Sequence, residues 1–359
     1  MPDVSVLMPV RNAARFVRAA VDSVLLQRGP SVELIVVDDG STDGSRAIVE
    51  AIDDRRVRLI RHEPGPGISA TLNAGLASAT GEFVARLDAD DVARPDRFAK
   101  QVDALRRMPA VVLTGSRARL IDANGRAIGL VDRPCDETAI RWYNLLDNAF
   151  VHSSVMFRRA AIAAEFGGYD ESLSLCEDWA LWGRIMEGHA VCNMPEPLTD
   201  YRVTPGSIMS TIESTPSNAR RVVLEQTARR LIRRHVTATL GSAAAGDVDD
   251  LSAFLLGAEP SAVPRVLAAF ERLLERFLEA VPGAIASPEF CRTVARQFDA
   301  LAYRVQPPSR ASACRIYRAA ARRGAATVRW LPLGRMTALI TFGRAGRDRL
   351  RQARRTSFR

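Results

Sequence analysis

The feature that most constrains the fold is an alternation of apolar strand-like segments and amphipathic helical segments over the first 115 residues. The strand-like segments are Val4–Val10, Glu33–Asp38, Val57–Ile60, Glu82–Asp88 and Val111–Thr114. Apolar residues at helical spacing lie between them, for example Phe98, Val102 and Leu105. Such alternation predicts an α/β fold: a Rossmann-like, mostly parallel sheet with helices on both faces.

Three polar clusters come directly after predicted strands, at Pro9–Arg11, Asp38–Asp39 and Asp88–Asp91. In open α/β sheets, ligands bind in the crevice outside the carboxyl ends of the strands. We therefore expect the three clusters to outline a crevice of nucleotide size. No GxGxxG follows the first strand and no GxxxxGK[ST] is present, so neither a dinucleotide-binding fingerprint nor a P-loop is indicated.

The third cluster holds three carboxylates within four residues, Asp88, Asp90 and Asp91. Crowding this much negative charge is unfavourable unless a cation or hydrogen-bond donors gather there. Hard divalent ions such as Mg²⁺ take oxygen ligands, often one or two carboxylates together with substrate phosphates. A metal site and a solvated acidic turn are both compatible with this stretch by itself.

The middle of the chain offers a second acidic pair, Glu177 and Asp178, at a predicted helix start. The helix dipole favours anions there, so simple capping is the alternative to a catalytic role. Arg202 is a candidate phosphate contact, with an ordinary surface charge as the alternative. His152 is interpreted as a packed or surface histidine.

Composition places the chain among globular proteins, with 359 residues, 47% apolar and 25% charged residues and a net charge of +9. The five cysteines are widely spaced, odd in number and without a CxxC pair, so neither a zinc site nor a disulfide framework is indicated. We find no signal peptide and no run of 18 apolar residues. These observations fit a reducing cytoplasm.

The last third of the chain changes character after about residue 212. Apolar residues recur at helical spacing around Leu224–Ile232 and again around Leu267–Leu278, which predicts a helical appendage over residues 213–326. Residues 327–359 form a basic, partly apolar tail that ends in RAGRDRLRQARRTSFR. Such a tail can lie on anionic lipid, each basic residue near the surface contributing about 1 kcal/mol. A solvated tail is the alternative, and nucleic-acid binding a weaker one, because no recognition motif accompanies the charge.

Six motifs in order resemble the family 2 glycosyltransferases, inverting enzymes with the GT-A fold. They are PVRN at Pro9–Asn12, VVDDGSTDGS at Val36–Ser45, the turn at Asn73–Gly75, LDADD at Leu87–Asp91, PDR at Pro95–Arg97 and EDWALW at Glu177–Trp182. Each motif is weak by itself, but the ordered set is highly specific. The resemblance covers roughly residues 3–210 and implies a GT-A domain over 1–212, with a nucleotide-binding part to about 115 and an acceptor part beyond it.

The resemblance implies roles residue by residue. Asp39 matches the aspartate that hydrogen-bonds the nucleotide base, and Pro9 and Arg11 match the loop beside that base. The family often has tyrosine where Arg11 stands. Asp88 and Asp90 match the DxD pair that holds the ribose and a divalent metal, Mn²⁺ or Mg²⁺, on the diphosphate. Asp178 matches the catalytic base, with Glu177 beside it.

The sequence therefore predicts a metal-dependent inverting glycosyltransferase that uses a nucleotide sugar, with a UDP-sugar as the first expectation. The chemistry requires a Lewis acid for the leaving diphosphate and a carboxylate for the acceptor proton. The expected acceptor is a polysaccharide or lipid-linked glycan, and the expected location is cytoplasmic or peripheral at the inner face of the membrane. Two alternatives stay open: a sugar nucleotidyltransferase, against which the PVRNAAR loop argues, and a non-catalytic nucleotide-sugar-binding protein.

Overall fold

The structure is a computed structural model that describes residues 1–62, 67–204, 219–255 and 263–304. The chain divides into two compact units, Met1–Leu231 and a second that begins at Ile232. The predicted border at residue 212 and the tail over 327–359 lie outside the described residues, so the domain borders stay predictions.

Four parallel strands form the first half of the sheet in the order β3-β2-β1-β4. Their bounds are β1 (Val4–Val10), β2 (Val32–Asp39), β3 (Val57–His62) and β4 (Phe83–Arg86). The helices that connect or follow them are α1 (Val17–Leu25), α2 (Ser45–Glu50), α3 (Gly67–Ser78) and, after a short strand β5 (Val92–Ala93), α4 (Arg97–Arg107). The predicted α/β class is confirmed.

Alternate residues of β1 enter two different cores, because successive side chains of a strand point to opposite faces. Val6 and Met8 pack on the side of α1 and α4, with Val21 and Phe98. Leu7 packs on the opposite side with Leu72 of α3. Both faces of this strand are apolar, which is why its sequence reads as a continuous run rather than an alternation.

The sheet continues beyond β4 with mostly antiparallel pairings, in the order β4-β8-β6-β9-β5, and β7 pairs with β6. These strands are β6 (Val111–Ile121), β7 (Ala127–Val131), β8 (Met156–Arg158) and β9 (Ala190–Arg202). The helices of this part are α5 (Glu137–Asn144), α6 (Arg159–Ala161, followed by a π-helical turn to Phe166) and α7 (Glu177–Met186). The long strand β9 runs parallel to β6 and brings Arg202 to the edge where β4 ends.

The second unit is helical where it is described. α8 (Ala219–Leu240) crosses the border between the units, and α9 (Val248–Leu255), α10 (Val263–Ala280) and α11 (Pro288–Arg304) follow. Phe277 stacks on Phe290 with ring centroids 5.5 Å apart, and Asp247 accepts hydrogen bonds from Arg272. The predicted helical stripes are confirmed, and none of the described helices is long and apolar enough to cross a bilayer.

Arg97, from the PDR motif, joins α4 to the sheet. Its guanidinium is fully buried and donates to the carbonyl oxygens of Ser153 (2.7 Å), Arg86 (2.8 Å) and Val155 (3.1 Å). Gln101, one turn later, accepts from Arg97 Nε and donates to Ser154 O at 2.8 Å. One helix face thus fixes the short helical turn His152–Ser154 against the end of β4.

We expect Arg97→Met to lower the free energy of unfolding by about 3 kcal/mol, because buried carbonyl groups left without donors cost about 1–3 kcal/mol each. Urea unfolding measures the loss. The matched control is Arg107→Met on the same helix, whose side chain is 77% exposed and pairs with Asp103. That change should cost about 0.5 kcal/mol or less. Equal losses in the two variants would contradict the structural role of Arg97.

Candidate active site

Three carboxylates lie together just beyond the end of β4. One oxygen from each of Asp88, Asp90 and Asp91 lies within 4.8 Å of the others. Asp91 is buried, and Asp88 and Asp90 are partly exposed. Carboxylate oxygens at this spacing suit a hard divalent cation such as Mg²⁺ or Mn²⁺, so the residues present fit the metal that the sequence predicts.

The charge of these carboxylates is only partly balanced. Arg86 is 4% exposed at the end of β4 and forms an ion pair with Asp88. Burial raises the pKa of Asp90 to about 6, and the neighbouring Asp88 charge adds to the shift. Burial, followed by the charges of Asp88 and Asp90, raises the pKa of Asp91 well above its usual range. Simultaneous ionisation of all three carboxylates is therefore unfavourable unless a further cation binds.

Arg202, the predicted phosphate contact, forms hydrogen bonds with other residues of the protein. Its backbone N–H donates to Asp91 Oδ1 at 2.7 Å, and its Nε donates to Asp90 O at 2.7 Å. A second nitrogen donates to Asp122 O at 3.0 Å, and the guanidinium lies 4.6 Å from the ring centroid of Phe16. These contacts shape the loop that carries the carboxylates, and phosphate binding by Arg202 stays a prediction.

Asp39 lies at the end of β2 with one carboxylate oxygen engaged and one without a partner among the described residues. Oδ2 accepts from Arg11 at 3.1 Å, whereas the buried Oδ1 has no hydrogen bond. Pro9, at the end of the neighbouring strand β1, pairs in register with Val37. In the adjacent Asp38, both carboxylate oxygens have partners: one accepts hydrogen bonds from Arg46 and the other accepts from the N–H of Ser41.

The second acidic pair begins α7, as predicted. Asp178 Oδ1 accepts from its own helix at Trp179 N (2.7 Å), and Oδ2 accepts from Asn148 Nδ2 (2.7 Å). Burial, with the charge of Asp178, raises the pKa of Glu177 to about 7. Burial also raises the pKa of Asp178, but the bonds from Trp179 and Asn148 act in the opposite direction.

His152 adjoins this pair, although no sequence pattern indicates that position. Its Nδ1 lies 3.8 Å from both Glu177 Oε1 and Asp178 Oδ2, and Nε2 lies 3.0 Å from the Tyr169 hydroxyl. Burial lowers the pKa of His152 well below its usual range, so the ring is neutral. The preceding apolar residues and the serines after it are equally compatible with a surface loop.

Asn73 shows what its motif encodes. The turn predicted at Asn73–Gly75 is wrong, because these residues lie inside α3. The Asn73 side chain donates to Tyr169 O (2.9 Å) and accepts from Tyr169 N (2.8 Å). A Cβ on Gly168 would lie 2.4 Å from Asn73 Oδ1, so glycine is required beside this contact. The motif therefore holds Tyr169, which in turn contacts His152.

The two acidic clusters share one buried cation. The positive charge of Arg86 acts to lower the pKa of Asp90, Glu177 and Asp178 alike. The charge of Asp88 also reaches Glu177 and raises its pKa. Asp88 and Glu177, which are 89 positions apart in sequence, are thus electrostatic neighbours. The fold therefore places the residues predicted to bind metal and those predicted to act as base around the same buried arginine.

Comparisons with known proteins identify the family to which the chain is similar. The model of the family described as Glycosyl transferase family 2 matches residues 5–166. The succinoglycan biosynthesis protein ExoO of Rhizobium meliloti is 30% identical over 222 residues, which are 58% of this chain and 63% of that protein. The putative glycosyltransferase EpsE of Bacillus subtilis is 31% identical over 207 residues, 56% of this chain and 73% of that protein. The match thus spans less than two thirds of ExoO.

Among solved structures, residues 1–349 of S. aureus TarS in complex with UDP-GlcNAc share the fold. The TM-score is 0.55 at 20% sequence identity, and the alignment covers 92% of this chain and 89% of that chain. The predicted GT-A architecture is confirmed.

We expect Asp90→Asn to stabilise the metal-free protein. Asp90 has a folded pKa of about 6 against an ordinary value of 3.8, so its ionisation opposes folding at neutral pH. The gain, roughly 1–2 kcal/mol, should be complete above pH 7 and disappear as the pH falls through 6 towards 4, where wild-type Asp90 is also neutral. Thermal unfolding in excess chelator from pH 4 to 8 measures this difference.

The neighbouring Asp88→Asn is the matched contrast. It removes the ion-pair partner of buried Arg86, so it should lower the free energy of unfolding by about 2 kcal/mol or more. If both variants move stability in the same direction at pH 8, the proposed distribution of charge between the two aspartates is wrong.

Proposed function

This chain belongs to glycosyltransferase family 2, and we propose that it is a metal-dependent inverting enzyme that moves a sugar from a UDP-sugar to a hydroxyl of a polysaccharide or lipid-linked glycan. The observation that carries the proposal is the cluster of Asp88, Asp90 and Asp91 oxygens within 4.8 Å of one another. A divalent cation would favour the ionised form of three carboxylates held this close, and the diphosphate of a sugar nucleotide is a ligand that completes such a site.

Asp88 and Asp90 would hold the ion, and Asp91 would support the loop through its bond to the Arg202 backbone. A bound Mn²⁺ or Mg²⁺ supplies charge neutralisation for the departing diphosphate. Asp88 belongs to the proposed metal site and also forms an ion pair with Arg86. It therefore keeps a charged partner when no ion is bound. The raised pKa of Asp90 means that protons compete with the metal below about pH 6.

Asp178 is the proposed base. The acceptor hydroxyl gives its proton to the Asp178 carboxylate as its oxygen attacks the anomeric carbon from the face opposite the diphosphate. The bond from that carbon to the phosphate oxygen breaks with the electron pair leaving on the nucleotide, and the configuration inverts. Glu177, with a pKa near 7, is partly protonated at neutral pH, whereas Asp178 has two donors that favour its ionised form.

Asp39 and Arg11 together favour uracil over guanine. Guanine presents two adjacent donors, N1–H and N2–H, and would need both oxygens of a carboxylate. Here Arg11 donates to Oδ2 and Oδ1 is buried without a partner among the described residues, so Asp39 would present a single acceptor to a base, with a cation beside it. Uracil presents one donor, N3–H, flanked by carbonyl oxygens that a guanidinium can contact.

The proposed acceptor follows from a relative. ExoO is described as a succinoglycan biosynthesis protein, which makes a growing polysaccharide or its lipid-linked precursor the acceptor class we propose here. The arginine-rich segment over residues 327–359 would hold the enzyme at the inner face of the membrane by attraction to anionic lipid.

A screen of nucleotide sugars, with Mn²⁺ and with excess chelator, tests the proposal. We expect sugar transfer or slow donor hydrolysis with a UDP-sugar in Mn²⁺, and loss of both in chelator. Asp178→Asn should lower transfer by about 10²–10⁴-fold, the usual contribution of a general base, with nucleotide affinity unchanged. Asp90→Asn should lower both the rate of sugar transfer and the affinity for the nucleotide. Full activity in chelator would contradict the proposed metal dependence. Near wild-type transfer by Asp178→Asn would contradict the proposed role of Asp178 as the base.

Nucleotide preference is tested by calorimetry with UDP and GDP in Mn²⁺. We expect UDP to bind more tightly, and Arg11→Met to reduce the preference by about tenfold, because it frees Asp39 Oδ2 and removes the donor beside it. Arg15→Met is the matched control, since that exposed arginine of the same loop contacts Ala123 O and Asn124 Oδ1 instead. If Arg11→Met leaves the preference for UDP unchanged, the proposal that Asp39 and Arg11 together recognise the nucleobase is wrong.

A further inference from the structure

Asn148 has an amide whose orientation is fixed by its own loop. Its Oδ1 accepts from the backbone N–H of Phe150 at 3.1 Å, and its Nδ2 donates to Asp178 Oδ2 at 2.7 Å. A backbone N–H can only donate, so the amide oxygen must face Phe150. The nitrogen must therefore face Asp178. The side chain cannot rotate by half a turn without placing two donors together at one end and two acceptors at the other.

Hydrogen bonds that involve Asp147, Tyr143 and Arg133 stabilise the loop that carries Asn148. Asp147 Oδ1 accepts from the N–H of Asn148 at 2.8 Å, and Asp147 Oδ2 accepts from the Tyr143 hydroxyl at 2.8 Å. Arg133 donates to the same hydroxyl at 2.6 Å. On the other side, the indole N–H of Trp179 donates to Asn144 O at 3.0 Å, which joins the end of α5 to the first turn of α7.

Asp178 thus receives one hydrogen bond on each oxygen, from two different elements. The bond from Trp179 is donated by the backbone of the helix that carries Asp178. A substitution of the Asn148 side chain therefore does not remove the donor of this bond. The bond from Asn148 comes from the neighbouring loop and sets the rotation of the carboxylate. His152 Nδ1, at 3.8 Å, is too far for a hydrogen bond to either carboxylate.

Resting on the proposed role of Asp178 as base, we propose that Asn148 is a positioning residue that orients this carboxylate and keeps it ionised for the acceptor proton. A carboxylate that accepts two hydrogen bonds keeps further lone-pair directions free, so the donor does not block proton transfer. Asn148 acts through Asp178 and needs no contact with the substrate.

Burial of Asp178 disfavours its ionised form, and the bond from Asn148 acts against that effect. Burial raises the pKa of Asp178, and the bonds from Trp179 and Asn148 oppose that rise, as does the charge of Arg86. The other titratable groups around the carboxylate are Glu177 on its own helix, Cys176 before it, His152, Tyr169 and Asp147. Of these, the histidine is neutral and the carboxylates repel, so loss of the Asn148 donor is not made good by them.

The experiment is the pH dependence of kcat for Asn148→Asp and Asn148→Ala in the full chain, with saturating UDP-sugar, acceptor and Mn²⁺. A base works only above its pKa, so we expect the acidic limb of the profile to rise by about 1–2 pH units, since a hydrogen bond to the charged form is lost. On the acidic side of the wild-type limb, kcat should fall about ten- to hundredfold in Asn148→Asp, and the loss should disappear at pH values above the shifted limb. UDP affinity should stay at the wild-type value, which also shows that the variants are folded.

Asn124→Asp is the matched control, because the same chemical change at an exposed turn keeps its acceptor contact with Arg15. It should leave the profile unchanged. If Asp178→Asn abolishes transfer while Asn148→Asp keeps the wild-type kcat and acidic limb, Asn148 does not position the base and only this inference fails. If a kcat loss in both Asn148 variants is independent of pH, the role is merely structural and the inference fails as well. Wild-type transfer by Asp178→Asn would overturn the base and the inference together.

Discussion

The site depends on one buried guanidinium. Arg86 lies at the end of β4, where Asp88 pairs with it and where Asp90, Glu177 and Asp178 all feel its charge. Burial by itself lowers the pKa of an arginine, but the surrounding carboxylates raise that of Arg86 overall. Taking one cation out of water is costly unless charges and donors gather around it. The strand ending that concentrates acidic residues therefore also provides the charge that lets them coexist.

The frame around Arg86 is built by arginines that contact backbone oxygens. Arg97 donates to the carbonyls of Arg86, Ser153 and Val155, and Arg202 donates to those of Asp90 and Asp122. A guanidinium has five donors in a rigid plane, so one side chain can fix several carbonyl groups from different segments. In this way α4 and β9, which are distant in sequence, hold the loop on which the acidic cluster stands.

The sequence predicts the parallel half of the fold well, because its evidence is local. The segment Val4–Val10 is apolar on both faces, and the structure has β1 over the same residues. The helix face formed by Phe98, Val102 and Leu105 is buried as its spacing predicts. The ordered motifs identify Asp39, which lies at the end of β2, Asp88, which lies just beyond β4, and Asp178, which lies in the first turn of α7.

The contacts missed by sequence reasoning are those that join distant segments. His152 and Asn148 carry no pattern of their own, and they reach Asp178 only because α5, β8 and α7 meet in three dimensions. Arg202 is read from sequence as a surface charge or a phosphate contact, because nothing in YRVTP reveals that Asp90 and Asp122 will lie beside it. Spacing identifies which face of an element is apolar, but it does not identify the partner of a polar group.

The local environments of Glu177 and Asp178 explain why two adjacent carboxylates need not play the same part. Both are buried at the start of α7 and both have raised pKa values. Two carboxylates this close cannot both ionise easily, so the one with better donors keeps the charge. Asp178 receives Trp179 N and Asn148 Nδ2, whereas Glu177 reaches a pKa of about 7. The repulsion that destabilises the pair thus favours a single ionised group, and hydrogen bonding selects Asp178 as that group.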